Sequence, residues 1–267
     1  MRTIVTRATT TITVGTLLLF GAGVPAEATI RAPGSTACQS GGHLIVDGPS
    51  RSVLAVEAGV AVCQTFTGDV GGNISIGLYT PMPDGSWVGY ANRVTVRDPH
   101  GAVVAIFSAE SPQVRPIFSL PVPTLTTAGT YTVELKPIWS TYQLRVVASV
   151  SSRQHDGTVT IDGPGRPLTY DRVGQRKDVD FSGRAHELVS VTITDFQLST
   201  PQANAAPGLW IEVYRPTSPN VAYRGVAFRG GRFDVGPLRE DGRFTIRTWP
   251  LDASAGSATI GVATLDP

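Results

Sequence analysis

The sequence predicts an all-β protein: two tandem antiparallel β-sandwich domains of jelly-roll type, following a signal peptide. Three observations carry that expectation. The chain repeats itself at an offset near 115 residues, its apolar residues alternate with polar ones at period two, and 29 glycines and 20 prolines punctuate the alternating runs. No stretch keeps the sustained 3.6-residue apolar stripe of an amphipathic helix.

The first 28 residues read as an export signal. Arg2 and Arg7 precede an apolar run from Ile12 to Val24, and Ala26-Glu27-Ala28 supplies a small-x-small cleavage site. The run carries three glycines between Gly15 and Val24 and is too short to cross about 30 Å of hydrocarbon. No cysteine follows the cleavage box directly, so lipid anchoring is not expected. No second apolar span follows residue 28, so the mature chain is expected to be secreted, extracellular or held at the cell wall by binding alone. Two cysteines in an exported chain read as one disulfide, Cys38 to Cys63.

The repeat then orders the rest. Asp47-Gly48-Pro49 recurs as Asp162-Gly163-Pro164, Phe66-Thr67-Gly68 as Phe181-Ser182-Gly183, and residues 73–76 as 188–191, all at an offset of 115. The offset drifts to 117 between residues 94–99 and 211–216, and falls to 113 between GTYTVELKP (129–137) and GRFTIRTWP (242–250). Small drifts between matched blocks are what loop insertions between matched strands produce. Two domains are therefore expected, 36–149 and 155–266, joined by the polar segment 149–156 as a linker.

Within GTYTVELKP, Tyr131, Val133 and Leu135 share one face, while Thr130, Thr132, Glu134 and Lys136 share the other. The run after it, with Leu144 and Val146 on one side, is expected to pair with it antiparallel. In the second copy Phe244 and Ile246, then Ala258, Ile260 and Val262, should face inward. About eight or nine strands are expected per copy, in the first near 43–46, 52–55, 62–68, 73–80, 93–98, 102–108, 116–121, 130–136 and 142–149. With Phe66 inward, Cys63 lies on the outer face, in line with Asp178. The same offset sets Arg153 opposite Cys38, so an Arg153–Asp178 pair would replace the disulfide in the second copy.

Each copy resembles the bacterial pre-peptidase C-terminal domain and related β-sandwich repeats of secreted actinobacterial proteins. The residues that carry the resemblance are FSGRAHELVSVTI (181–193), IEVYRP (211–216), PTLTTAGTYTVELKP (123–137) and STYQLRVVAS (140–149). The resemblance implies a jelly-roll-like accessory domain, usually appended to secreted enzymes and not itself catalytic. Here the pair reads as standing without an enzyme domain, which departs from that arrangement.

The residues point the same way. Basic and acidic residues number 22 and 21, which removes the electrostatic footprint of a nucleic-acid binder. His186-Glu187-Leu188-Val189-Ser190 stops one ligand short of the zinc-protease motif, and the repeat puts it at the start of a strand. The four histidines are scattered, and no GxSxG elbow or phosphate-cradling glycine loop is present. No cofactor is expected, with calcium held by loop carboxylates such as Asp84 or Asp98 kept open against their role as turn formers.

The favoured binding candidate is the long loop of residues 80–92, where Trp87, Tyr90 and Asp84 stand. Trp87 and Tyr90 either stack on a sugar ring, anchor a protein partner, or fold back over the sandwich end. Trp210 is expected in the core, and Arg224, Arg229 and Arg232 on a solvated strand face. The expected function is non-enzymatic binding of a cell-envelope or extracellular component, either an extracellular protein or a cell-wall glycan. The alternatives are a carbohydrate-binding or calcium-assisted accessory module, and a hydrolase with an unrecognised site.

Overall fold

Alternating side chains give strands that bury one face each, and such strands must find a second layer to cover that face. A computed structural model describes residues 38–55, 60–79, 92–108, 118–137, 144–199, 207–228, 231–251 and 255–265, all within one unit, Thr36–Pro267. The first nine strands are β1 (Gln39–Leu44), β2 (Arg51–Ala55), β3 (Val62–Gly68), β4 (Ile74–Tyr79), β5 (Asn92–Arg97), β6 (Val103–Ser108), β7 (Phe118–Pro121), β8 (Gly129–Pro137) and β9 (Leu144–Ser152). The second nine are β10 (Gln154–Thr158), β11 (Arg166–Tyr170), β12 (Lys177–Gly183), β13 (Val189–Thr194), β14 (Gly208–Tyr214), β15 (Val221–Phe228), β16 (Arg232–Val235), β17 (Gly242–Pro250) and β18 (Gly256–Thr264). The described residues contain no helix, and hence none long and apolar enough to cross a membrane.

Two sandwiches result, with the same strand order. In the first, sheet β1-β3-β8-β5-β6 faces sheet β2-β9-β4-β7; in the second, β10-β12-β17-β14-β15 faces β11-β18-β13-β16. Each pair of sheets encloses its own apolar core. Phe66, Tyr131, Val133, Ile76 and Val150 fill the first, and Phe181, Phe244, Ile246, Val191 and Ile260 the second. The inward alternation read from GTYTVELKP and GRFTIRTWP is the one observed. Phe66 stacks on Tyr131 with centroids 5.2 Å apart, and Phe181 on Phe244 at the same distance. Full burial of such a ring contributes about 1.5–3 kcal/mol.

The turns repeat as faithfully as the cores. Asp47 and Asp162 both adopt left-handed backbone, at φ 60° and 58°. Their carboxylates accept bonds from the backbone N–H and hydroxyl of Ser152 and of Thr264 respectively. Gly129 and Gly242 sit at φ +135° and +139°, where an added Cβ would meet Pro99 at 2.9 Å and Pro216 at 2.8 Å. Those two contacts explain why a glycine opens each copy of the motif and a proline recurs upstream.

The antiparallel sandwiches expected are the ones found, with one parallel pair in each, β1 with β3 and β10 with β12, and two finer expectations need correction. The chain leaves the layer after β1, runs β2 in the opposite sheet and returns as β3, and a crossover of that kind brings a strand back in the same direction. β8 and β9 do not pair with each other; β8 lies between β3 and β5, and β9 between β2 and β4 in the facing sheet. Finally, 149–156 is no linker. β9 continues to Ser152 and β10 starts at Gln154, leaving Arg153 alone between them.

The polarity of that segment has a packing cause. Ser75, Ser149 and Ser151 are buried on the outer face of the four-stranded sheet, where the connection between β11 and β12 lies against them. The hydroxyl of Ser149 donates to the carbonyl of Val173 at 2.8 Å, and that of Ser119 to Gly174 at 2.7 Å. Arg172 donates to the Asp47 carbonyl at 2.6 Å and to its carboxylate at 2.8 Å. At Gly77 a Cβ would lie 1.8 Å from the Val173 carbonyl oxygen, so only glycine permits this approach. The two sandwiches are thus joined by hydrogen bonds across a surface of small residues.

Cys38 and Cys63 form the disulfide expected, with Cα atoms 5.6 Å apart. At the matching place in the second sandwich Arg153 Nε lies 3.3 Å from Asp178 Oδ2. An ion pair therefore stands where the first copy has a covalent bond, as the offset predicts.

Candidate functional site

Trp87, Tyr90 and Asp84 lie outside the described residues. Asp98 makes a turn, its Oδ1 accepting from the backbone N–H of His100 at 2.9 Å and of Ala102 at 2.8 Å. His186 sits in a turn at φ 70°, ahead of β13, so the near-miss zinc motif has no helical face. Among the described residues no three His, Cys, Asp or Glu side chains gather as a metal-binding group.

The structure instead brings chemistry together on the outer face of the second sandwich's five-stranded sheet. On β14, Leu209, Ile211 and Val213 point inward at 0% exposure. Period-two alternation then turns Trp210, Glu212 and Tyr214 outward. On β17, Phe244 and Ile246 fill the core and Thr245, Arg247 and Trp249 face the other way. Trp210, expected in the core, is instead a half-buried residue on the outer face.

Strand register sets these side chains in rows. Trp210 lies opposite Trp249, and their indoles stack with centroids 6.1 Å apart. One row further along, His155, Asp178, Arg247, Glu212 and Arg224 succeed one another across five strands. Apart from the histidine, the charges alternate in sign along that row, which suits cross-strand neighbours. Arg247 grips Asp178 with two bonds, at 2.8 and 2.9 Å, and lies 4.4 Å over the Tyr214 ring. Arg224 reaches Glu212 at 2.6 Å, and the Tyr214 hydroxyl donates to the same carboxylate at 2.6 Å.

Burial shifts several of these groups. It pushes the Tyr214 hydroxyl up, and the bond to Glu212 adds to the effect. Burial alone would lower Arg247, but the Asp178 carboxylate outweighs it and holds the guanidinium above its ordinary value. A second polar knot lies beside the first: Asp180 accepts from His155 at 2.7 Å, Arg243 at 2.6 Å and Thr245 at 2.6 Å. Burial favours the neutral acid there, but the three donors prevail and keep the Asp180 carboxyl below its usual range.

Arg176, just before β12, completes the site. Its side chain sits 4.0 Å over the Trp249 ring, and its Nε and Nη2 donate to the hydroxyl and carbonyl of Ser119 at 3.0 and 2.8 Å. Although only 5% exposed, it pairs with no carboxylate among the described residues. Burial brings its guanidinium down to about 10. Arg176, Trp210, Trp249, Glu212, Arg224 and Arg247 line a cavity of about 360 Å³, and Pro121 at the end of β7 supplies a wall from the first sandwich. Such a volume lies in the range of small-ligand sites, and the junction of two domains is a common place for one.

The first sandwich shows what this face looks like without the site. By register, Arg93, Thr95 and Arg97 on β5 occupy the places of Trp210, Glu212 and Tyr214, while Glu134 and Lys136 on β8 occupy those of Arg247 and Trp249. Inward positions stay apolar in both copies, as in Val94 and Ile211 or Val133 and Ile246. The fold therefore does not require the aromatic and charged set. The signal was available in the repeat itself, as outward mismatches between copies whose inward residues match.

No protein-family model matches the chain, and no curated protein matches it. Solved structures similar to it include the pre-peptidase C-terminal domain of a Bacillus anthracis collagenase, at 11% identity and a TM-score of 0.27, covering 41% of this chain and 93% of that one. The Aeromonas hydrophila protein PliG, a periplasmic inhibitor of g-type lysozyme, matches at 12% identity and a TM-score of 0.27 over 42% of this chain and 99% of its own. The CUB1-EGF-CUB2 segment of human MASP-1/3 spans 81% of this chain and all of its own length, 100%, at 9% identity and a TM-score of 0.25. All three TM-scores lie under 0.5, and the β-sandwich architecture stands on this chain's own sheets.

Proposed function

We propose that the chain is an exported, non-enzymatic binding protein. It comprises two domains of the pre-peptidase C-terminal type, expected from the sequence at 36–149 and 155–266 and meeting at Arg153 between β9 and β10, behind a signal peptide of residues 1–28. Its partner is an extracellular protein or cell-wall glycan, met outside the cell or at the wall. The Cys38–Cys63 bond supports an oxidising compartment.

The observation that carries the reading is the cavity of the second sandwich. Two stacked indoles, three guanidinium groups and one carboxylate line a concave site, and the aromatic pair has no counterpart at the matching described positions of the first sandwich, Arg93 and Lys136. Aromatic and arginine side chains in a half-enclosed site are the residue types that dominate binding energy.

The test is capture of cell-wall fragments and secreted proteins on the immobilised full chain, beside Trp210→Ala and, separately, a Trp87→Ala/Tyr90→Ala variant. Binding lost in Trp210→Ala and kept in the loop variant supports the cavity as the site. Loss confined to the loop variant moves the site to residues 80–92. Turnover of a hydrolase substrate, abolished by replacing a His or Asp, would overturn the non-enzymatic reading.

A further inference from the structure

We infer that the cavity takes an acidic sugar, a pyranose ring bearing a carboxylate. The inference deepens the binding reading above and rests on it. Three features of the site select that chemistry.

The first is charge. On this face Arg153, Arg224, Arg243 and Arg247 each have an aspartate or glutamate partner. Arg176 has none among the described residues, though it is the most buried of these arginines. Its Nε and Nη2 are committed to Ser119, whereas Nη1 has no hydrogen-bond partner there. The carboxylate nearest to hand in the lining, Glu212, is already bonded to Arg224 and Tyr214. Arg224 and Arg247 are matched by Glu212 and Asp178, so the surplus positive charge in the lining is that of Arg176, and a guanidinium without a carboxylate partner favours an incoming one.

The second is shape. Trp249 is buried beneath Arg176 and stacked on Trp210, which leaves the half-buried Trp210 ring as the apolar surface in the lining, and an indole suits the C–H face of a sugar ring better than it suits an inorganic anion. Glu212, Arg224 and the Tyr214 hydroxyl ring that surface with the polar groups that fix hydroxyl orientation. The third is the comparison between copies. Arg93 and Lys136 stand where the two tryptophans do, so the pair is not a demand of the sheet.

Oligogalacturonate and oligoglucuronate, titrated into the full chain by calorimetry and followed by tryptophan fluorescence, are set against neutral galacto- and gluco-oligosaccharides of equal length. The acidic oligomers should bind and the neutral ones should bind at least about tenfold more weakly, one charge-assisted contact being of that size. Arg176→Gln should remove the preference for acid, and Trp210→Ala should remove binding altogether. Arg176 also holds Ser119, so a melting curve accompanies each variant; the exposed edge of Trp210 keeps the test sound if Arg176→Gln unfolds.

Equal affinity for acidic and neutral oligomers overturns the inference, as does acid binding indifferent to Trp210→Ala. A neutral glycan or a protein bound at the cavity, with acidic sugars inert, overturns it too while leaving the broader binding reading intact.

Discussion

The disulfide in one copy and the ion pair in the other form a comparison built into a single chain. Cys38→Ser/Cys63→Ser removes a cross-link between residues 25 apart in sequence. In the chain-entropy description a closed loop of about 26 residues is worth ~3.5 kcal/mol. A sandwich of about 115 residues unfolds with an entropy near 0.24 kcal/mol/K, so the first half should melt about 14 °C lower. Arg153→Ala should act differently, since Arg153 is a third exposed and the buried Asp178 keeps its two bonds from Arg247; a loss of about 0–1 kcal/mol shifts the second half by about 4 °C or less. Hydrogen exchange read by mass spectrometry along a denaturant series separates the halves, with amides of β3 and β8 reporting the first and those of β12 and β17 the second. The reasoning fails if the serine pair costs under about 1 kcal/mol in β3 and β8. It also fails if β12 and β17 lose as much as they do.

Two further expectations concern the junction and acid stability. Gly77→Ala sets a methyl carbon against the Val173 carbonyl, 1.8 Å away before any shift, so it should cost about 1–3 kcal/mol or more and loosen exchange protection around residues 171–176 while the two cores stay protected; unchanged protection there would contradict the docking described. Asp180 has a folded-state value below its unfolded one, so it stabilises above about pH 4 and that advantage fades as pH falls through the folded value. Denaturant melts of wild type and Asp180→Asn should therefore differ by a constant amount near neutrality and converge below about pH 4, and a gap that widens in acid would reverse the assignment.

The sandwich was legible because alternation records which side chains face inward, and two copies recorded it twice. Phe66 and Phe181, or Val133 and Ile246, are apolar for the same reason at the same place. Pairing was less legible. Nothing local tells β9 to join β2 and β4 instead of β8, since the choice depends on which layer each strand completes. The serines of 149–152 resembled a linker because their hydroxyls serve an interface with a segment more than 20 residues away. Trp210 read as core because tryptophan usually is buried, and its outward aim follows only from the apolar 0%-exposed residues on either side. The cavity needs β14, β17, the residue before β12 and the end of β7 together, a combination that no window of the sequence displays.

Pro121 and Ser119 belong to the first copy, yet Pro121 walls the cavity and Ser119 fastens Arg176. Neither half owns the recess. The binding proposed for this recess would therefore draw on both copies at once, and a single sandwich would lack one of its walls.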